Sequence, residues 1–180
     1  MASDEEIKAA LNFAEFKRAS AAENLSDYFK PYYDELCNEL SGTYWAPYST
    51  RRSLLKQQEL WDQGRTPESI AKKQSIVTNA KPGDSAHNWG CATDWCEFRP
   101  EFRNQDLWNK ANWEQFGNAV QKVGLVWGGN FKSLVDKPHC ELPLDVSWKV
   151  IGETYHKRGV ERAIEAIGLN MVKFKLTRGE

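Results

Sequence analysis

Ser85-Ala86-His87-Asn88-Trp89-Gly90-Cys91-Ala92-Thr93-Asp94-Trp95-Cys96-Glu97-Phe98 is the stretch on which the reading of the chain turns. Its second half, Gly90–Phe98, reads as a strand. His87 stands in a polar, turn-rich context before it, and Asp94 follows seven residues later on the strand itself. Gly83 and Gly90 allow tight backbone turns on either side of His87.

Working outward, residues 3–20 have helical spacing, with Ile7, Ala10, Leu11 and Ala14 on one face, and Ser3 followed by Glu6 has the form of a capping box. A second helical stripe runs through Leu25, Tyr28, Phe29, Tyr32, Tyr33, Leu36, Cys37 and Leu40. Pro31 belongs in its first turn or at a kink, because it lacks an N–H donor. Gly42–Tyr48 is β-prone, and Pro47 marks it as an edge strand or a strand end. Ser53–Gln63 reads as a helix stopped by Gly64, and 66–83 as loop. Asn112 can cap a helix to about Val123, with Gly124 just beyond it. A Gly128-Gly129 turn and a short strand at His139–Leu142 follow. The tail holds two helical pieces, 146–157 and 160–167, joined at Gly159. Helices and short strands alternate without a βαβ repeat, which predicts an α+β fold with a small antiparallel sheet packed with helices.

Composition narrows the function. The 180 residues carry 24 Lys+Arg against 25 Asp+Glu, a formal net charge of −1. A dedicated nucleic-acid binder needs a basic excess, so no nucleic-acid partner is expected. Mean hydropathy is −0.67, and no run approaches the ~20 apolar residues of a membrane span, so no membrane insertion is expected. Eight Trp, eight Phe and six Tyr suffice for a core. Residues 1–40 hold nine acids and four bases, read as a solvated face. The start, Met1-Ala2-Ser3-Asp4-Glu5-Glu6, has neither the basic nor the apolar part of a secretory signal. Cys37, Cys91, Cys96 and Cys140 are then most simply free thiols.

Two of the three histidines lie beside carboxylates. His87 precedes Asp94, and Asp136 precedes His139 within Asp136-Lys137-Pro138-His139-Cys140-Glu141. Two imidazoles and a carboxylate form a common ligand set for catalytic Zn²⁺, with one position open, and a nearby free carboxylate can serve as general base. On spacing alone, two structural histidines are the simpler reading.

The motifs carry more. Residues 85–94 resemble the S-x-H-x-x-G-x-A-x-D motif of the zinc D-Ala-D-Ala carboxypeptidase and L-alanyl-D-glutamate endopeptidase family. Asp136 to Glu141 resembles its D-x-x-H-x-E motif, with the lead-in Trp127-Gly128-Gly129-Asn130-Phe131. Arg52, Ser53, Gln57, Leu60, Trp61, Gly64, Arg65 and Thr66 match its upstream signature, R-[ST]-x-x-x-Q-x-x-L-[YW]-x-x-G-R-T. The motifs stand in order over residues 25–142; the lead-in and the D-x-x-H form look more like the L-alanyl-D-glutamate endopeptidase branch, and a start without a secretory signal fits a bacteriophage endolysin of that family.

The resemblance implies a Zn²⁺ held by His87, Asp94 and His139. It implies Asp136 as the general base for the attacking water and Arg52 as the charge facing the scissile carbonyl. It also implies an antiparallel sheet with the zinc site on it. Glu141 either orients a histidine or is structural. The implied domains are a helical extension at 1–24 and a peptidase domain at 25–180, with the helices of 143–180 completing it or touching the anionic wall. The implied partner is the bacterial peptidoglycan stem peptide, cut by a monomeric enzyme that stays in the host cytoplasm before lysis and then acts on the wall. A D-Ala-D-Ala carboxypeptidase, or a non-catalytic zinc domain, are the alternatives.

The sequence departs from the pattern at Ala86 and Cys140, where the family carries aromatics. Cys91 and Cys96 flank Asp94, but their spacing is not that of a zinc knuckle, and buried free thiols are the simpler reading. A Cys96–Cys140 disulfide is an alternative for a protein working outside the cell. Trp89 and Trp127 either pack the core or line a groove, and His156 is expected at the surface.

Overall fold

The computed structural model describes residues 2–178, with side chains through residue 173. The chain divides into two compact units: Met1–Thr50 with Cys91–Leu142, and Arg51–Gly90 with Pro143–Glu180.

The first unit contains α1 (Asp4–Ala21), α2 (Lys30–Glu39), β1 (Trp45–Ser49), β2 (Ala92–Glu97), α5 (Asp106–Asn109), α6 (Trp113–Lys122), β3 (Val126–Trp127) and β4 (His139–Glu141). The expected capping box is formed: Glu6 N donates to Ser3 Oγ, and Ser3 N donates to Glu6 Oε2 at 2.8 Å. Asp4, Glu5 and Glu6 also place negative charge at the positive end of the α1 dipole. Pro31 sits in the first turn of α2, where a missing N–H costs nothing. The Asn112 side chain accepts from Gln115 N at the start of α6. Gly124, at φ +82°, turns the chain into β3 in a conformation that favours glycine.

The four strands form one antiparallel sheet in the order β1-β2-β4-β3. Strand alternation separates its faces. Thr93 and Trp95 of β2 point with Trp45 of β1 and Cys140 of β4 into the core. There Trp95 lies 5.8 Å from both Tyr33 of α2 and Phe116 of α6, and Trp45 stacks on Phe116 at 5.0 Å. Such buried aromatic pairs add to the free energy of burial itself. The opposite face carries Ala92, Asp94 and Cys96 on β2, with His139 and Glu141 across from it on β4. The α+β fold with a small antiparallel sheet packed by helices is the architecture expected. Cys96 and Cys140 project from opposite faces of the sheet, and all four cysteines are free thiols.

The second unit holds α3 (Leu54–Asp62), α4 (Pro67–Ala71), a 3-10 turn at Ala86–Trp89, α7 (Trp148–Arg158) and α8 (Val160–Arg178). Ser53 caps α3 by accepting from Lys56 N. The short α4 lies in the stretch read as loop, and α8 is longer than its expected 160–167. No helix among the described residues is long and apolar enough to cross a membrane.

Candidate metal centre

His139 and Asp94 are cross-strand partners on β4 and β2. Asp94 Oδ1 lies 3.2 Å from His139 Nδ1, and Glu141 Oε2, two residues along β4, lies 2.9 Å from His139 Nε2. The imidazole is therefore held between two carboxylates, one at each nitrogen. Burial disfavours its cation, but the hydrogen bonds and charges of Asp94 and Glu141 outweigh burial and raise its pKa to about 10 in the metal-free protein.

His87 arrives from the 3-10 turn that precedes β2. This turn ends at Gly90, whose φ of +67° reverses the chain. His87 is buried at 2% exposure. One ligand atom from each of His87, Asp94 and His139 lies within 4.8 Å of the others, the only such group among the described residues. The chemistry fits zinc: two imidazole nitrogens and a carboxylate oxygen are a three-ligand set that leaves a position open. Glu141 engages His139 Nε2, which leaves Nδ1, on the Asp94 side, as the nitrogen for a metal. A ligand histidine held at its other nitrogen by a carboxylate is a common way to fix the ring.

Asp136 sits one tight turn before His139, with His139 N donating to Asp136 O at 3.1 Å. Three further bonds pin that turn: Asp136 N to Gly128 O at 3.0 Å, Trp127 Nε1 to Lys137 O at 2.7 Å, and Trp95 N to Pro138 O at 3.0 Å. Gly128 approaches so closely that a Cβ there would strike the Asp136 carbonyl. The glycine of the Trp127-Gly128-Gly129 lead-in is thus required by the backbone of the Asp136–His139 turn. The Trp127 ring packs against Gly117 and Gly129, a packing role.

Arg52 is tied to the His87 turn through its backbone. Arg52 N donates to His87 O at 2.9 Å, and Asn88 Nδ2 donates to Arg52 O at 3.0 Å. Its guanidinium donates to Gln57 Oε1 at 2.9 Å, while fully buried Gln57 donates to Ala80 O at 2.8 Å. Gln57 stands in the upstream signature, but its bonds to Arg52 and the 78–80 loop emerge only in the fold. The turn is also braced from behind. Trp89 Nε1 donates to Gly83 O at 2.9 Å, and its ring meets Tyr155 of α7 edge-on at 5.6 Å. The Asp84 side chain occupies the space that a side chain at residue 152 would take. His156 is exposed, as expected, and its Nε2 lies 3.0 Å from Pro82 O.

The three buried thiols play no part in this ligand set. Burial pushes the Cys96 and Cys140 thiols up to about 12. Cys140 shares a hydrogen bond with Thr93 on the core face, and Cys91 lies 3.1 Å from Ser26 Oγ. Cys96 and Cys140 behave as small core residues with protonated sulfur.

Asp94 and His139 on the sheet, His87 from the 3-10 turn before β2, and Asp136 one turn ahead of His139 make up a candidate metallohydrolase centre. Residues 78–142, which contain all of these groups, match a protein family described as D-alanyl-D-alanine carboxypeptidase. The peptidoglycan L-alanyl-D-glutamate endopeptidase CwlK of Bacillus subtilis (strain 168) is 34% identical over 100 residues, 51% of this chain and 56% of that protein. The chain therefore spans little more than half the length of this relative. Among solved structures, the Serratia marcescens L-Ala D-Glu endopeptidase ChiX superposes with a TM-score of 0.49 at 16% identity, over 80% of this chain and 91% of that one. A mutant of the vancomycin-resistance D,D-pentapeptidase VanY from a VanB-type cassette, solved with Zn(II), gives 0.48 at 18% identity, over 79% and 83%.

Proposed function

We propose that the protein is a zinc-dependent peptidoglycan peptidase that hydrolyses the L-alanyl-D-glutamate bond of the stem peptide. The observation that carries this reading is the His87–Asp94–His139 cluster, with Asp136 one turn ahead of His139, inside the segment that matches the peptidase family. His87, Asp94 and His139 hold the metal. Zinc bound there supplies a Lewis acid and a water acidic enough to attack at neutral pH. Asp136 accepts the proton of the attacking water and passes it towards the leaving amine. Arg52 presents a fixed positive charge to the oxygen that becomes anionic as the carbonyl is attacked, and Gln57 holds that guanidinium in place. Glu141 fixes the His139 ring.

The likeness to CwlK favours the endopeptidase over the D-Ala-D-Ala carboxypeptidase named by the family description. We also propose that the protein is a bacteriophage endolysin, a monomer that is held in the host cytoplasm and meets the wall at lysis. Mass spectrometry of purified walls after digestion tests the bond. Peptides with new D-glutamate N-termini, with L-Ala left on muramic acid, are expected. Release of D-alanine alone would overturn the endopeptidase reading in favour of the carboxypeptidase.

A further inference from the structure

The edge of the sheet beside Asp94 carries an aromatic pair that the zinc chemistry does not use. β1 has a bulge between Pro47 and Ser49, and Tyr48 stands at it. Bulges re-aim side chains and recur beside active sites. Trp45 at the start of the same strand is fully buried, whereas Tyr48 is 57% exposed. The half-buried Trp108 of α5 meets Tyr48 edge-on, with ring centroids 5.1 Å apart. The pair is anchored from behind: Trp113 Nε1 donates to Trp108 O at 2.9 Å, and the Trp113 ring lies 5.2 Å from Trp45 in the core. Exposed Asn109 and Lys110 follow Trp108, with Lys110 Nζ 3.1 Å from Asp106 Oδ1. The result is a preformed aromatic platform with polar groups at its rim.

We propose that Tyr48 and Trp108 form a sugar-stacking platform that takes the muramic acid ring from which the stem peptide hangs. A pyranose has an apolar C–H face and a rim of hydroxyl and amide groups, which suits aromatic rings edged by an amide and an ammonium. Distance supports the same ligand. Ser49 pairs directly with Asp94. A cross-strand step of about 5 Å plus one residue of 3.8 Å puts the Tyr48 backbone within roughly 9 Å of that of Asp94. In a glycan-borne stem, the L-Ala carbonyl is separated from the sugar by L-Ala and the lactyl group. These are two three-atom units spanning about 7 Å when extended. For a D-Ala-D-Ala bond the path also crosses γ-linked D-glutamate and two more residues, at least about 17 Å when extended, well over the backbone separation of Tyr48 and Asp94. The proposal rests on the endopeptidase reading and explains how that enzyme would find its bond.

The test compares a muramoyl tripeptide with the N-acetyl tripeptide of the same sequence, using zinc-loaded protein. The wild type should prefer the muramoyl substrate by about tenfold in kcat/KM, the size expected of one ring stacked on an aromatic side chain. In Trp108→Ala and in Tyr48→Ala that ratio should fall towards one, and Trp108→Phe should retain most of it. The ratio is read within each variant, so a general loss of activity does not imitate the effect. A second readout needs no turnover: titrating zinc-loaded, ¹⁵N-labelled protein with the N-acetylglucosaminyl-N-acetylmuramic acid disaccharide, which carries no stem peptide, should shift the Trp108 indole resonance. A wild-type ratio of one, a ratio unchanged in both alanine variants, or an unmoved indole resonance overturns the platform. If neither tripeptide is cleaved while the indole shifts, the bond assignment fails and the platform stands.

Discussion

Asp94 and His139 face each other as a direct cross-strand pair of the β2–β4 ladder, with Asp94 Oδ1 3.2 Å from His139 Nδ1. The register of one short ladder therefore assembles two of the three candidate ligands. It also places Thr93 and Cys140, the neighbouring pair, on the opposite face in the core. A slip of one residue would exchange the two sets, and burial of Trp95 and Cys140 guards against it.

Glu141 holds the outer nitrogen of His139. In Glu141→Gln the amide oxygen can still accept a hydrogen bond from Nε2–H, but the negative charge that raises ligand basicity is gone. Zinc affinity should fall by about 10–100-fold with the fold intact. Competition against a chromophoric chelator measures it. Affinity equal to wild type would leave Glu141 with a structural role only.

The same arrangement sets a pH dependence in the metal-free protein. The His139 pKa is raised to about 10 because Asp94 and Glu141 outweigh the opposing effect of burial. In the unfolded chain the imidazole titrates near ~6.5. A raised folded pKa stabilises the fold fully below the unfolded value, and this contribution is lost as pH rises through the folded one. The Tm of metal-free protein should therefore decline between about pH 6.5 and pH 10, and the decline should flatten in Glu141→Gln. Zinc binding near neutral pH must expel this proton, which calorimetry in buffers of different ionisation enthalpy should detect as about one proton released.

Much of this site was legible in the chain because its parts are local. Ser3–Glu6, Pro31, Ser53, Asn112 and Gly124 are helix punctuation that acts over a few residues, and each stands where expected. The spacing of His87 to Asp94 and of Asp136 to His139 is likewise set by a turn and a strand. The remainder depends on contacts distant in sequence. Spacing leaves open whether Glu141 orients a histidine, because that depends on the ring orientation of His139. The bonds of Gln57 to Arg52 and Ala80 O depend on loop closure. The short α4 does not stand out in the sequence because Pro67 and the turn residues around it mask the Thr66–Ser69 capping box that starts it.

Gly128 tests how closely the Asp136–His139 turn must pack. A Cβ at this position would meet the Asp136 carbonyl and the His139 Cβ, which are backbone and near-backbone atoms with little freedom to yield. Gly128→Ala should displace the turn and so weaken zinc binding and activity together. Gly42→Ala is the comparison, since a Cβ there meets nothing within 4 Å and only its φ of +69° is strained. It should cost about 1 kcal/mol of stability and leave zinc affinity unchanged. Equal zinc affinity in the two variants would show that the turn tolerates the displacement.

A substitution at Asp136 tests metal binding and proton transfer separately. It lies outside the three-ligand set, and its backbone, through Asp136 O and Asp136 N, builds the turn that presents His139. Asp136→Asn preserves that backbone and nearly the same side-chain shape, but an amide cannot take a proton from water. Zinc content and Tm should match wild type, while kcat falls by at least ~10²-fold, the range of general-base losses. His87→Ala should contrast by losing the metal as well as the activity, because it removes a ligand. Chelation of the wild type should do the same, with zinc restoring turnover at about one ion per chain. If Asp136→Asn kept wild-type kcat with zinc bound, Asp136 would be a turn residue alone. Glu141 would then be the next carboxylate to examine, since it already meets the ring of His139.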